Sequence, residues 1–362
     1  MELVPLLEAL IKFDGSDLHL QAGAAPMVRI GGELRPLEAP ALSDDRIREI
    51  MQQIAWGDAQ IRLDKQRSVD FSFEMPGKAR FRVNAFFERQ RLSMAFRRIP
   101  IKVPPFDELN LPNVIQEIAM APRGLVLVTG TTGSGKSTTL AAMINYVNGK
   151  RHDRIITIED PIEFVHENQL ALIAQRELGS DTPTFFDALR VAMRQDPDLI
   201  LVGELRDAET MRTALQAADT GHIVYSTMHT TNAAQTVQRL IALFPPDERD
   251  LLRMQLAANL EAVISQRLAK TRKGHDRVPV VEVMINTPVV RKIIAEEDLS
   301  LLPKAIASQE NGMQLFDQHL TKLWKAELIS GTEALRLATN PEAVGMVMRG
   351  LSTRDLATSL VG

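Results

Sequence analysis

A short apolar run, a glycine-rich turn and then a lysine and a serine occupy residues 124–139, GLVLVTGTTGSGKSTT. Gly130, Gly135, Lys136 and Ser137 stand at the spacing G-x-x-x-x-G-K-[ST] of a phosphate-binding loop. A strand-like run at 125–129 precedes the loop and a helix-like run at 138–147 follows it, which is the context the motif requires. Phosphate oxygens need several backbone N–H donors converging on one point, and only a loop poor in side chains supplies them; the helix that follows adds its positive end. Thr131, Thr132, Gly133, Ser134, Gly135, Lys136, Ser137 and Thr138 are therefore the candidate nucleotide-binding residues. Lys136 would reach the β- and γ-phosphates of ATP as a point charge, and the Ser137 hydroxyl would hold Mg²⁺. A plain Gly-Ser turn between strand and helix would not need a lysine at this offset.

Short β-branched runs alternate with helical patterns on the far side of the loop: RIITI at 154–158, a helix over 184–195, LILVG at 199–203, a helix over 208–219, and HIVYSTMH at 222–229. Such alternation predicts a largely parallel sheet covered on both faces, in which ligands sit at the carboxyl ends of the strands. That rule draws Gly130, Glu159 with Glu163, Glu204 and His229 to one edge, because each follows directly on an apolar strand. Glu204 has the position of an acid that orients Mg²⁺ or its waters, and Glu159 or Glu163 could orient the attacking water. Taken singly, each acid reads equally well as a solvated turn residue or a helix cap. His222 and His229 flank one strand and so cannot ligate one metal; His229, at the phosphate end, could sense the γ-phosphate. Arg190, Arg194 and Arg206 read as structural ion-pair residues.

Before the loop, residues 3–13 have apolar positions at helical spacing, three short strands follow at 18–20, 27–30 and 33–37, and Ser43 precedes a helix over 44–54. Residues 69–75, VDFSFEM, alternate, and so do ARFRVNAFF and LSMAFRRI, which form a hairpin about positions 89 and 90. That register sets Arg82 opposite Arg97 and Arg80 opposite Ile99. Two arginines opposed across strands repel, so either an anion such as phosphate lies between them or each pairs with an acid of the same chain. Prolines 104, 105 and 112 make 101–112 a stiff connector. The expected organisation is an α+β domain over 1–100, that linker, a P-loop α/β domain over 113–270, a helical region over 271–345 and a loosely held tail over 346–362. Helices are expected from 248 to 268 and from 288 to 297, the second with Thr287 as cap, Pro288 at its first position and Val289, Val290, Ile293 and Ile294 as one apolar stripe.

Composition narrows the partners. With 42 Lys and Arg against 46 Asp and Glu, the formal charge of -4 provides no overall basic field, so direct nucleic-acid binding is not expected. Absence of cysteine excludes disulfides, iron–sulfur clusters and thiolate zinc sites. No run of about 18 apolar residues is present and residues 1–13 lack the form of a signal peptide, so a cytoplasmic location is expected.

With these residues laid out, the chain resembles the type IV pilus retraction ATPases of the PilT/PilU kind, within the secretion superfamily of the GspE/PulE type. SDLHLQAG, ARFRVNAF, GTTGSGKSTTLAAMI, TIEDPIEFVH, LILVGELRDAET, TGHIVYSTMHT and NGMQLFDQHL resemble that family's segments in the same order, over residues 3–335. The resemblance implies a PAS-like N-terminal domain, a RecA-like ATPase domain with a helical C-terminal part, and assembly as a homohexamer that uses ATP and Mg²⁺. It implies an enzyme that hydrolyses ATP to power pilus retraction and twitching motility, peripheral at the inner face of the cytoplasmic membrane. An inner-membrane pilus platform protein and a paralogous retraction or assembly ATPase are its implied partners. Site roles follow residue by residue: Glu163 in TIEDPIE as the water-activating acid, Glu204 in GELRD on the metal side, His222 and His229 in the histidine segment, and Arg82 and Arg97 as arginines offered to nucleotide. Two departures stand out: Thr131 replaces a usual proline, and VVRKII at 289–294 stands where the family has a sequence close to AIRNLI, with Arg291 kept. A motor for protein secretion or DNA transfer built on the same core, and a nucleotide-gated binding module without turnover, are the competing readings.

Overall fold

The computed structural model describes residues 2–99, 103–274 and 276–350. Its chain divides into two units: Met1–Lys102 together with Asp160–His166 and Arg176–Thr184, and Val103–Glu159 together with Glu167–Gln175 and Phe185–Gly362.

The first unit starts with α1 (Leu3–Lys12), then β1 (Asp17–Gln21), β2 (Met27–Ile30), β3 (Glu33–Pro36), α2 (Asp44–Ile54), α3 (Ala59–Gln66), β4 (Ser68–Met75), β5 (Ala79–Glu88) and β6 (Arg91–Ile99). The strands form one sheet in the order β3-β2-β1-β6-β5-β4, with every described pairing antiparallel. Ser43 caps α2 by accepting the Arg46 N–H, and Asp44 and Asp45 in the first turn complement the helix dipole. Along β5, Ala79, Phe81, Val83 and Ala85 are buried and Arg82 between them is exposed, the alternation of a sheet with one wet face. Arg89 and Gln90 both take left-handed conformations, the two-residue turn that matches strand twist. Arg82 consequently lies opposite Arg97 and Arg80 opposite Ile99, as the symmetric hairpin predicts. α3 carries no helical signal in the sequence, because only Ala59 and Leu63 are buried and its apolar pattern is sparse.

In the second unit, α4 (Phe106–Leu109) and α5 (Val114–Ala119) come first, so the expected stiff connector contains one helical turn, with Pro105 at its N-cap and Asp107 and Glu108 in its first turn. Next are β7 (Gly124–Thr129), α6 (Lys136–Asn148), β8 (Arg154–Glu159), β9 (Leu172–Glu177, whose last two residues belong to the first unit), α7 (Phe185–Ala192), β10 (Leu199–Val202), α8 (Ala208–Asp219), β11 (Ile223–Met228), α9 (Ala233–Ala242) and α10 (Arg249–Asn259). The chain then forms β12 (Leu260–Lys270) and β13 (Arg277–Ile285), followed by α11 (Pro288–Ala295), α12 (Leu302–Ala307), α13 (Phe316–Lys325), α14 (Gly331–Leu337) and α15 (Pro341–Met348). The sheet order is β13-β12-β7-β11-β10-β8-β9. β7, β8, β10 and β11 run parallel, β12 joins β7 in parallel, and β13 returns antiparallel to β12. Every residue of β7, β10 and β11 is buried, as a sheet covered on both faces requires.

Four expectations are corrected by the structure. The helix expected over 248–268 ends at Asn259, and 260–270 is strand; a second strand, β13, occupies part of the stretch expected to be helical throughout. Leu260, Val263, Ile264 and Leu268 fit a helical stripe, but β12 has buried residues on both faces, so no period-2 alternation betrays it, and pairing with β7 and β13 decides the outcome. On α11, Thr287 does accept the Val290 N–H and Val290, Ile293 and Ile294 are buried, but Val289 is 54% exposed and leaves the stripe. Finally, residues 346–348 complete α15; most of the expected tail, 351–362, lies outside the described residues. Among the described residues no helix is long and apolar enough to cross a membrane.

Candidate nucleotide site

The phosphate loop leaves β7 at Thr129 and enters α6 at Lys136. Thr131, Thr132 and Gly133 are exposed, while Ser134 and Lys136 are buried and Gly135, Ser137 and Thr138 are half-buried. Lys136 Nζ donates to the carbonyls of Gly130, at 2.8 Å, and Thr131, at 3.1 Å, so the ammonium is held inside the curve of the loop. Two glycines are required by packing as well as by phosphate approach. Gly130 and Gly135 sit at φ +147° and +90°, and a Cβ at either would lie 2.4 Å from the Gln266 carbonyl oxygen or 2.7 Å from Gln266 Nε2. A Cβ at Gly133 would meet nothing within 4 Å, which leaves the mouth of the loop open to an anion.

Gln266, on β12, was not singled out in the sequence. Its Nε2 donates to the Ser134 carbonyl at 2.8 Å and its Oε1 accepts from Thr139 Oγ1 at 2.8 Å, so one buried side chain clamps the loop to the first turn of α6. Thr129 Oγ1 donates to Ser265 Oγ beside it at 2.9 Å. Two adjacent polar residues inside the apolar run LEAVISQRLAK were the available signal, since buried polar groups need partners.

Neighbouring strand ends bring Glu204 and His229 together. β7 and β11 pair to their last residues, Thr129 with Met228, and Val202 of β10 pairs with Ser226 and with Ile158. Thr227 fixes both residues that flank Glu204: its Oγ1 donates to the Gly203 carbonyl at 2.6 Å and its own carbonyl accepts the Leu205 N–H at 3.2 Å. Glu204 Oε1 lies 3.1 Å from His229 Nε2, and Oε2 accepts from Arg206 Nε at 2.7 Å. Glu159 ends β8 and accepts from Thr157 Oγ1 and Gln175 Nε2. The Ser137 hydroxyl and the Glu204 carboxylate are hard oxygen donors, and Mg²⁺ is typically held by one or two such protein groups plus substrate phosphates, so this donor set fits that ion. Across β11, His222 Nδ1 is 2.9 Å from the Ala217 carbonyl oxygen and 3.2 Å from Thr220 Oγ1, a local turn role away from the phosphate end.

The other candidates belong to the first unit. Glu163 is exposed between buried Ile162 and Phe164, so its carboxylate points outward from a pinned backbone. Arg82 Nε is 3.5 Å from Asp70 Oδ1, and Arg97 Nε donates to Asp17 Oδ1 at 2.9 Å. Each of the opposed arginines thus has an acid of its own chain, one of the two arrangements the hairpin allowed. Their side chains remain 46% and 71% exposed and accessible to a further anion. Burial pushes Asp17 up, but the Ser16 hydroxyl and Arg97 together outweigh it and hold the carboxyl below its ordinary range. Elsewhere, Arg190 faces Asp187 at 3.9 Å and Arg194 donates to the Arg190 carbonyl.

Residues 106–336 match the family model described as type II/IV secretion system protein. The chain belongs to that family. This type II/IV secretion system family segment holds the phosphate loop, Glu163, Glu204, His229 and Gln266, while Arg82 and Arg97 lie before it. Among curated relatives, the type IV pilus retraction ATPase PilT of Pseudomonas aeruginosa is 46% identical over 94% of this chain and 99% of its own. The type IV pilus ATPase PilU of the same organism is 38% identical over 98% of this chain and 93% of its own. A crystal structure of the pilus retraction motor PilT with bound ADP superposes with a TM-score of 0.88 at 39% identity, covering 94% of this chain and 98% of the other.

Proposed function

We propose that this chain is an ATP-hydrolysing motor that powers type IV pilus retraction, and with it twitching motility. The observation that carries this reading is collinearity: a retraction ATPase aligns with 94% of the chain at 46% identity, the N-terminal sheet included. Backbone donors of residues 131–138 bind the phosphates of ATP, and Lys136 neutralises the β- and γ-phosphates. Mg²⁺, held by Ser137 and Glu204, supplies charge neutralisation at the phosphate oxygens. Glu163 orients the attacking water and takes its proton. His229 senses the γ-phosphate, and its contact with Glu204 gives that sensing a route to the metal side of the site. Arg82 and Arg97 serve the nucleotide of a neighbouring subunit in a homohexamer, which makes hydrolysis depend on a closed ring. The motor acts at the inner face of the cytoplasmic membrane on a pilus platform protein, alongside a paralogous ATPase; α11 with Arg291 is its coupling helix.

Two measurements test this. Steady-state ATP hydrolysis by the purified chain should be measurable and depend on Mg²⁺; binding without turnover would leave only a nucleotide-gated module. A deletion strain should keep surface pili and lose twitching, and the wild-type chain should restore movement where Lys136→Ala does not. Normal twitching in the deletion strain, with no loss of force or rate, would overturn the retraction reading.

A further inference from the structure

Glu177, the last residue of β9, is 2% exposed and takes no part in the chemistry described so far. Ser72 Oγ lies 2.7 Å from both of its carboxylate oxygens, Arg80 Nη2 donates to Oε2 at 2.9 Å, and the backbone N–H of Ile162 donates to the same oxygen at 3.2 Å. Its own N–H is held by Asp181 Oδ2 at 2.8 Å. One buried carboxylate therefore fastens the residue immediately before Glu163 to β4 and β5, and this explains why Asp160–His166 and Arg176–Thr184 cluster with the N-terminal sheet. Ser72 lies opposite Arg82, and Arg82 opposite Arg97, so the clasp and the paired arginines occupy the same face of that sheet.

From this geometry we infer that Glu177 is a positioning residue: it fixes the Glu163 segment to the arginine-bearing sheet face, so that the acid of one nucleotide site and the arginines offered to another move as one body. Burying a carboxylate is costly unless charged and polar donors surround it, and here three groups from separate segments do so. Nothing in the first unit's core needs this acid, because the hydrophobic cluster around Leu18, Ile47, Phe81 and Phe96 lies on the opposite face. A group held about 1 Å out of place can lose about 10²-fold in rate, so the clasp bears on turnover far more than on nucleotide affinity.

The inference rests on Glu163 as the water-activating acid, and the experiment separates the two. Glu177→Ala, Glu177→Gln, Glu163→Gln and the double variant Glu163→Gln/Glu177→Ala are compared as full-length assembled protein. Glu177→Ala should lower kcat roughly 10- to 100-fold with KM for ATP within about 3-fold of the parent, and should raise hydrogen exchange at 160–166. Glu177→Gln, which keeps shape and one acceptor, should fall between Glu177→Ala and the parent, and it carries the test if Glu177→Ala does not fold. In the double variant the rate should equal that of Glu163→Gln alone, since Glu177 acts through Glu163. A further drop by the same factor in the double variant, or unchanged exchange at 160–166 in a folded Glu177 variant, would overturn the positioning role. Full turnover in Glu163→Gln would instead remove the assignment of Glu163, whatever the exchange data show.

Discussion

The two sheets of this protein display functional side chains in different ways. β4 to β6 in the first unit have one face packed on the core and one largely polar face, so Arg82 and Arg97 can be carried exposed within strands while Phe81, Val83 and Phe96 build the core beneath. β7, β10 and β11 are buried on both faces, and the candidate site residues Gly130, Glu204 and His229 follow the ends of those strands. A wet-faced sheet tolerates polar change at alternate positions without loss of packing; a doubly covered sheet tolerates none along its length and concentrates function at its rim. The two candidate sets therefore respond differently to substitution.

The largest contrast lies at the strand ends. Lys136→Ala should abolish measurable nucleotide binding, whereas Glu163→Gln should bind ATP nearly as the parent does and lose turnover by about 10³-fold or more, because orienting water matters in the transition state and little in the ground state. Equilibrium binding with single-turnover hydrolysis distinguishes them, and equal loss of binding in both would break the assignment. Next in size is the wet face. Arg82→Ala should leave the thermal midpoint within about 2 °C, since the side chain is 46% exposed and its partner Asp70 is 55% exposed, and reduce turnover by about 10- to 10³-fold. Mixing Arg82→Ala chains with Glu163→Gln chains should restore part of the activity, because some interfaces then carry both groups; mixtures as inactive as their parents, in rings that still assemble, would place the arginine in its own subunit's site.

A smaller effect sharpens the comparison from the buried side. Val126→Ala, in a fully buried strand, should cost about 1–3 kcal/mol in denaturant unfolding with nucleotide affinity little changed in the folded fraction. A cost no larger than that of Arg82→Ala would contradict the difference drawn between the sheets.

Smallest of all is a pH effect confined to β13. Burial pushes Glu282 up from 4.5 to about 7, only partly offset by the Ala233 N–H it accepts at 2.8 Å and by the Arg267 charge, with Asp317 adding to the rise. A carboxyl raised in the folded state contributes stability that is fully present below its unfolded value and lost as pH rises through about 7. Between pH 5 and 6.5 the parent should therefore lose about 1 kcal/mol per pH unit relative to Glu282→Gln, measured as the difference in unfolding free energy. His319 behaves oppositely: burial, with help from the Lys322 charge, lowers it to about 3, and its Nδ1 accepts the Val281 N–H, so its contribution fades as pH falls from 6.5. Being common to both chains, it cancels in the difference; parallel pH profiles would show that Glu282 is ionised throughout.

Local rules read much of this molecule from the sequence. Spacing alone located the phosphate loop, the cap at Ser43, the exact span of α8 and the register that sets Arg82 against Arg97, because each depends on residues close in the chain or on a turn of fixed length. Strand-end placement of Glu204 and His229 followed from the parallel pattern, and their 3.1 Å contact is its outcome. Tertiary structure alone decided the rest. β12 carries a helix-like stripe and becomes a strand because β7 and β13 offer hydrogen-bonding edges on both sides. Gln266 and Glu177 gain their roles from groups 132 and 105 residues away, Ser134 and Ser72, which no local period can encode. A sequence specifies what each short segment can do; which buried donor meets which distant acceptor is settled only when burial forces every polar group to find a partner.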